Sequence, residues 1–589
     1  LSIIVAVAAA ALQASSPCKA EAQATTAERL VAQNSLFKDQ YRDDLVASPE
    51  SRTSLGDYSD NARLDDRSLK AALDSDRQDR AYAKKLAHIS TAGFPEQDRL
   101  SHELLLRELR QRIEDYNLKT YEMPLTQFNG VHTDLADLPK SVPLDSVQHY
   151  EDYVARLKQI PRVFAEVIEV LKQGEKDGLT PPALLLRQVP AQCRGIIAED
   201  PFLSPLGTIP SSIDAEDRAR LTAQITAVVK TQVLPAYDGF CHFIEADYMR
   251  HGRSSIGLSD LPDGPHRYEV AVREQTTTTL TPAQINALGL SEIERINGLL
   301  AQLAHRAGYP DLPAFRKALN SDPKYIPTSA EAIVADFKHY VTQMEPRLPE
   351  LFLAYPTTGL AVEAVPASQP QMATHHVDGT PDGSRAGRIV VATSDYAHRK
   401  LLSDETQAYH EGVPGHELQI SIQQRLTGLP KFRATIRNNA YVEGWAVYAE
   451  GLGKELGYFQ DPASDYGRLN LELLRAVRLV IDTGIHSRGW SRDQAVAFFR
   501  QSGAADEPTI QAEVDRYISI PAQGLSYKVG QLKILELRAL AERDLGARFD
   551  IRAFHQAVLG AGSLPLDLLE TRVRTWIKSE SLKPGTMGI

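Results

Sequence analysis

Long segments of the chain carry apolar residues at three- and four-residue intervals, the repeat of one face of an α-helix. Residues 150–171 (YEDYVARLKQIPRVFAEVIEVL), 215–237, 290–304 and 470–485 all read this way. No self-similar period of solenoid length interrupts them. A helix entry is marked at Thr281-Pro282-Ala283-Gln284, where a capping hydroxyl, a first-turn proline and a glutamine at the third helical position precede an apolar run. One region breaks the pattern. Residues 362–395 are rich in Gly, Pro, Asp and Thr around the β-branched run 388–393. This predicts a small sheet inserted in a helical protein, its last strand just before the segment YHEGVPGH. An edge strand there could pair with an extended peptide; a structural hairpin is the plainer reading.

Composition narrows this picture. With 589 residues and 43% hydrophobic content the chain can bury a large core, as two or more domains or as one large helical body. A formal charge of -11 argues against a nucleic-acid footprint. The opening stretch LSIIVAVAAAAL is uncharged, apolar and too short to span a bilayer, and small residues follow it. It reads as the apolar part of a truncated secretory signal over residues 1–24; a buried N-terminal helix is the alternative. The residues before Cys18 do not suit lipidation, so the sequence favours soluble export with no integral membrane span left after signal removal. Cys193 and Cys241 then remain. They could form a disulfide closing a loop of about 48 residues, worth about 4 kcal/mol in the chain-entropy picture, or stay as two buried thiols.

Candidate chemistry concentrates in Ala408–Gln419, AYHEGVPGHELQ. Two His-Glu pairs occur, but the fourth residue after His410 is Pro414 and the fourth after His416 is Ile420, so the segment lacks the His-Glu-x-x-His spacing. On an ideal helix His410 and His416 would point about 120° apart and lie roughly 9 Å apart along the axis, too far to share an ion. Gly412, Pro414 and Gly415 permit another path, and a two-residue helical bulge would return His416 to the face of His410. A Pro-Gly helix stop between two surface histidines is the alternative.

A third ligand candidate changes the weighing. In NNAYVEGWAVYAE, Glu443 lies among small and apolar neighbours, and a buried carboxylate needs a partner. Zinc would be one partner; an arginine would be another. His410, His416 and Glu443 together make the His2Glu set of a catalytic zinc that keeps a position for water. Glu411, beside the first ligand, is then placed as the base, with Glu417 as its rival. Glu450 is either a supporting carboxylate or a solvated helix end. Downstream, His486 in DTGIH and Tyr527 in PAQGLSYKVG are candidate substrate and oxyanion donors, and Arg516 or Lys528 could hold a peptide carboxylate.

HEGVPGHELQ, EGWAVYAE, DTGIH and PAQGLSYKVGQLKI, preceded by REQTTTTLTPAQINALGLSEI, together resemble the bacterial family called domain of unknown function 885, many of whose members are exported or lipid-anchored. The resemblance runs from about residue 30 to the C-terminus. That family is similar in architecture to helical zinc metallopeptidases of the angiotensin-converting enzyme, oligopeptidase and carboxypeptidase Taq type. The similarity implies a mainly α, large two-lobed zincin-like body with a deep channel and a small β-sheet beside the metal helix. An N-terminal helical lobe at 25–330 and a catalytic region at 331–589 would form one integrated domain. It further implies His410, His416 and Glu443 as zinc ligands, Glu411 as base, and His486 and Tyr527 as donors. The function expected is an exported, periplasmic or secreted, zinc metallopeptidase acting on oligopeptides as a carboxypeptidase, a dipeptidase or a small endopeptidase. A zinc hydrolase of modified peptides and a helical binding or scaffold protein without turnover are the alternatives.

Overall fold

The computed structural model describes residues 24–356, 359–365, 373–380 and 385–583. The export signal read at 1–24 falls, but for its last residue, outside them. The described chain is mainly helical, at 71% helix against 2% strand, as the three- and four-residue periodicity requires. The Thr281 entry forms a full capping box: Gln284 N–H donates to the threonine hydroxyl and the Gln284 side chain returns to the Thr281 backbone. The 150–171 pattern divides into two helices, Val147–Leu157 and Ile160–Lys176, with Pro161 in the first turn of the second. A five-residue π-turn, Val229–Val233, interrupts the 215–237 pattern. No helix among the described residues is long and apolar enough to cross a membrane.

Three buried cores hold these helices. The largest joins Phe37, Tyr82 and Leu104 from the N-terminal helices to Trp445, Leu537 and Val573 from the C-terminal ones. A second lies wholly between residues 64 and 248, around Tyr150, Phe164, Phe202 and Tyr237. The third packs Leu300 and Phe315 against Leu473, Val477 and Tyr517. The first and third cores both cross residue 330, so the packing does not divide there. Cys193 and Cys241 are buried in the second core as free thiols, the alternative to a disulfide that the sequence left open.

Two close helix pairings frame the site. Pro282–Arg306 lies along Pro462–Arg488, and Asn439–Glu455 lies along Leu525–Leu545. The second pairing brings backbones into contact through glycines. A Cβ on Gly530 would stand 1.7 Å from the Ala440 carbonyl oxygen, and one on Gly444 would stand 2.4 Å from the Gly530 Cα. This approach sets Glu443, Glu450 and Tyr527 at a fixed separation.

The inserted sheet has three strands in the order β1-β3-β2: β1 (Ala361–Ala364), β2 (His375–Val377) and β3 (Arg388–Val391). β3 pairs with β1 in parallel and with β2 antiparallel. The expectation that the last strand offers an edge beside the metal helix is therefore corrected: both sides of β3 are already paired. β2 is the strand that reaches the helix, through His376.

Candidate metal centre

The segment between His410 and His416 is a turn, not the bulge proposed from sequence. The helix Asp404–Glu411 ends, Gly412–Gly415 form a turn, and a new helix, His416–Gln424, begins. The turn is packed tightly. A Cβ on Gly415 would lie 2.0 Å from the His410 carbonyl oxygen, so only glycine lets the second helix start against the end of the first. Trp445, fully buried, donates its indole N–H to the Pro414 carbonyl at 2.9 Å and anchors the turn to the Asn439–Glu455 helix.

This turn brings the two imidazoles together, with ring centroids 4.7 Å apart. Glu443 completes a cluster whose three donor atoms all lie within 4.8 Å of one another. Glu443 Oε2 stands 3.5 Å from His410 Nε2 and 3.5 Å from His416 Nε2. Donor atoms about 2.1 Å from a tetrahedral ion lie roughly 3.4 Å from one another, so the two Glu443 separations are those of ligands on one zinc. The same Oε2 is buried without a hydrogen-bond partner. A buried, unpartnered carboxylate oxygen facing two imidazole nitrogens is the arrangement a cation would complete.

Glu450 is buried, so of the two readings the sequence allowed it is the supporting carboxylate rather than a solvated helix end. Its Oε1 accepts from His410 Nδ1 at 2.7 Å and from Arg475 at 2.7 Å. Because Glu443 and Glu450 sit seven residues apart on one helix face, they bracket both ring nitrogens of His410. The Nδ1 bond leaves Nε2 directed at Glu443, the second-sphere pattern that orients a metal-binding histidine. Burial pulls the His410 pKa down, but the two carboxylates outweigh it and raise it to about 9. Burial alone would raise Glu443, yet the two histidines hold it well below the usual carboxylate range.

Glu411 is half-buried, and its carboxylate makes no hydrogen bond or ion pair among the described residues. Glu417, the rival base, is already engaged. It accepts from His376 Nε2 at 2.7 Å and from Ser421 at 2.8 Å. His376 leans on Asp378 (3.4 Å), which Arg437 holds at 2.7 Å. Burial lowers His376, but Asp378 and Glu417 raise it to about 9, so it is an imidazolium clasp between β2 and the second helix. Sequence reasoning missed both His376 and Arg475. His376 lay in a region read for its strands and backbone pairing, not its side chains, and Arg475 in a helix read only for its apolar face.

Tyr527 joins the cluster, its ring stacked 6.5 Å from that of His410, and the Arg478 guanidinium lies over the Tyr527 ring, 4.7 Å from its centroid. Burial and Glu443 push its phenol up, which keeps it a hydroxyl donor. Arg516 reaches the Tyr527 hydroxyl at 3.4 Å. Lys528 is not brought here. It is fully buried between Glu292 (2.8 Å) and Glu472 (2.7 Å), leaving no free charge for a substrate.

His486 is not brought here either. Both ring nitrogens are used by backbone: Leu258 N–H donates to Nδ1 (3.1 Å) and Nε2 donates to the Tyr517 carbonyl (3.0 Å). Burial holds its pKa down at about 4. An unfolded histidine takes up its proton near 6.5, so the unfolded chain binds more protons between about pH 6.5 and 4. Stability is therefore lost as pH falls through that window, by up to about 3 kcal/mol from this residue. His486→Gln, which can keep one acceptor and one donor, should flatten the acid limb of urea-unfolding stability. An unchanged limb would contradict the assignment. His555, held at about 3 by burial, acts in the same sense, so the limb should flatten without vanishing.

The fold and site define a mainly helical protein carrying a largely buried His2Glu cluster beside a small sheet. Residues 49–573 match the family described as "Bacterial protein of unknown function (DUF885)", and the chain belongs to it. A solved structure from Colwellia psychrerythraea, described as a candidate lipoprotein, is 26% identical with a TM-score of 0.87, covering 94% of this chain and 99% of that one. Another, from Shewanella oneidensis and described as a candidate lipoprotein of unknown function, is 18% identical with a TM-score of 0.74, covering 93% and 99%; that likeness is one of fold alone. No curated protein matches the sequence.

Proposed function

We propose that the chain is an exported zinc-dependent peptidase of oligopeptides, with His410, His416 and Glu443 holding the ion. The observation that carries this reading is the convergence of two imidazole Nε2 atoms on a buried, unpartnered Glu443 Oε2. The free carboxylate of Glu411 stands next to the first of them in the chain. A zinc ion there would supply Lewis acidity, making water more acidic and a carbonyl more electrophilic. Glu411 takes a proton from the attacking water and returns it to the leaving nitrogen. Tyr527 donates its hydroxyl to the negative charge that develops on the carbonyl oxygen. Glu450, tied to Arg475, keeps His410 in the tautomer and orientation that ligation needs. A structural zinc would need no adjacent free carboxylate and is usually closed by a fourth protein ligand, which weighs against a scaffold role. The two-lobed, channelled zincin-like architecture belongs to the same proposal, as does export, for which the apolar stretch at residues 1–12 and the description of the similar Colwellia structure as a candidate lipoprotein are the support.

Metal removal tests it. A strong chelator should abolish hydrolysis of a mixed oligopeptide library, and one equivalent of zinc should restore it, as followed by mass spectrometry of the products. Turnover untouched by chelation would contradict the zinc assignment. A zinc-loaded protein that cleaves nothing would contradict peptidase activity and leave a binding protein.

A further inference from the structure

The surroundings of Tyr527 carry more charge than the proposed hydrolysis uses. Two guanidiniums, Arg478 and Arg516, share a single carboxylate. Glu513 Oε2 binds Arg478 at 2.9 Å, and Glu513 Oε1 binds Arg516 at 3.2 Å. One positive charge is left over. It does not rest on Arg478, whose guanidinium is buried between Glu513, the Tyr517 hydroxyl and the Tyr527 ring. It rests on Arg516, the more exposed of the two, with 28% of its side chain open against 8% for Arg478. The outer nitrogen of Arg516 meets only neutral groups, the Gln523 side-chain oxygen at 2.7 Å and the Tyr527 hydroxyl at 3.4 Å. An arginine has five N–H donors, and a fork satisfied on one side by a carboxylate and on the other by neutral oxygens can accept a second anion.

Its position says what that anion would be. Tyr527 bridges the two sites, its ring 6.5 Å from the His410 ring and its hydroxyl 3.4 Å from Arg516. One to three residues of an extended peptide, at about 3.5 Å each, cover that reach. We propose that Arg516, backed by Arg478 and positioned by Gln523 and Tyr527, binds the free C-terminal carboxylate of the substrate, so that the protein removes short units from peptide C-termini. This rests on the peptidase reading above and narrows it from oligopeptides in general to chains with a free carboxylate end. The reaction is simple hydrolysis: the carbon–nitrogen bond breaks, water's hydroxyl goes to the acyl carbon and its proton to the amine nitrogen, and nothing is oxidised or reduced.

Two measurements separate this inference from the reading it rests on. Binding is measured by calorimetry on the native zinc-loaded chain, with an N-acetylated tripeptide and the same tripeptide amidated at its C-terminus. The free acid should bind about 10- to 100-fold more tightly, the range of a charge-assisted hydrogen bond. Arg516→Gln should erase that preference, and Arg516→Lys should recover part of it. Turnover of the same peptides lengthened at the N-terminus should show a matching ratio, with the Arg516→Gln loss falling mainly on KM. Equal binding of acid and amide by the native chain would overturn the inference, with no variant needed. A preference that survives in Arg516→Gln would overturn the role of that residue. Discrimination in binding without turnover of either peptide would overturn the peptidase reading while leaving the carboxylate site standing.

Discussion

Glu411→Gln should lower peptide turnover by about 10²- to 10⁴-fold while the protein keeps its zinc, the loss expected when a positioned general base is removed. The substitution preserves shape and takes away only the charge and the ability to hold a proton. Glu411 forms no structural hydrogen bond among the described residues that the change would break. The ligands themselves are untouched: His410, His416 and Glu443 meet without using Glu411. Stopped assays with a quantified product, run beside metal analysis of the same preparation, separate the two effects. Wild-type turnover by the variant would remove Glu411 from the mechanism. Loss of metal along with activity would mean that Glu411 holds the site together rather than acting on water. Glu417→Gln is the informative contrast. Its carboxylate already pairs with His376 and Ser421, so that change should loosen β2 from the second helix instead of removing a proton acceptor.

The second large effect lies in the packing that sets the site. Gly530→Ala should destabilise the fold by about 3 kcal/mol or more, because the new methyl meets backbone, which cannot turn aside as a flexible side chain would. Its Cβ would stand 1.7 Å from the Ala440 carbonyl oxygen, three residues before Glu443. The helices Asn439–Glu455 and Leu525–Leu545 must then separate, moving Glu443 relative to Tyr527. Zinc affinity should fall with stability, read from urea midpoints and zinc titration. Gly298→Ala is the control: it lies within the Pro282–Arg306 helix and an added Cβ there meets nothing within 4 Å. It should be neutral or slightly stabilising, as helix propensity alone would have it. Similar losses in both variants would contradict the close-approach account.

Periodicity carried the helical class, and the order of chemical residues pointed to the three side chains that cluster, His410, His416 and Glu443. Both signals are local or depend on residue type alone. The path that joins His410 to His416 was not legible. Glycine and proline announce that the helix is interrupted, but whether the chain bulges or turns depends on Trp445 donating to Pro414 from another helix. Partners distant in sequence were equally hidden. Lys528 looks like a free charge until Glu292, more than two hundred residues earlier, is found beside it. His486 looks like a catalytic histidine until Leu258 and Tyr517 occupy its nitrogens. Glu450 shows the opposite case: seven residues after Glu443, it shares that residue's helix face and so lies beside the same histidine. The strand order was beyond sequence too, since a β-branched run predicts a strand but not whether it sits at the centre or the edge of the sheet.

Zinc content of the purified protein and its ligand variants, measured by mass spectrometry after equilibration with limiting zinc, tests the central claim most directly. The account predicts one ion per chain in the native protein and none retained by His410→Ala, His416→Ala or Glu443→Ala. Glu450→Ala should keep the ion with affinity reduced about 10- to 100-fold, the usual cost of losing a carboxylate behind a ligating histidine. A native protein that binds no zinc, or a His416→Ala variant that binds it as well as the native chain, would contradict the site built by the turn at Gly412–Gly415.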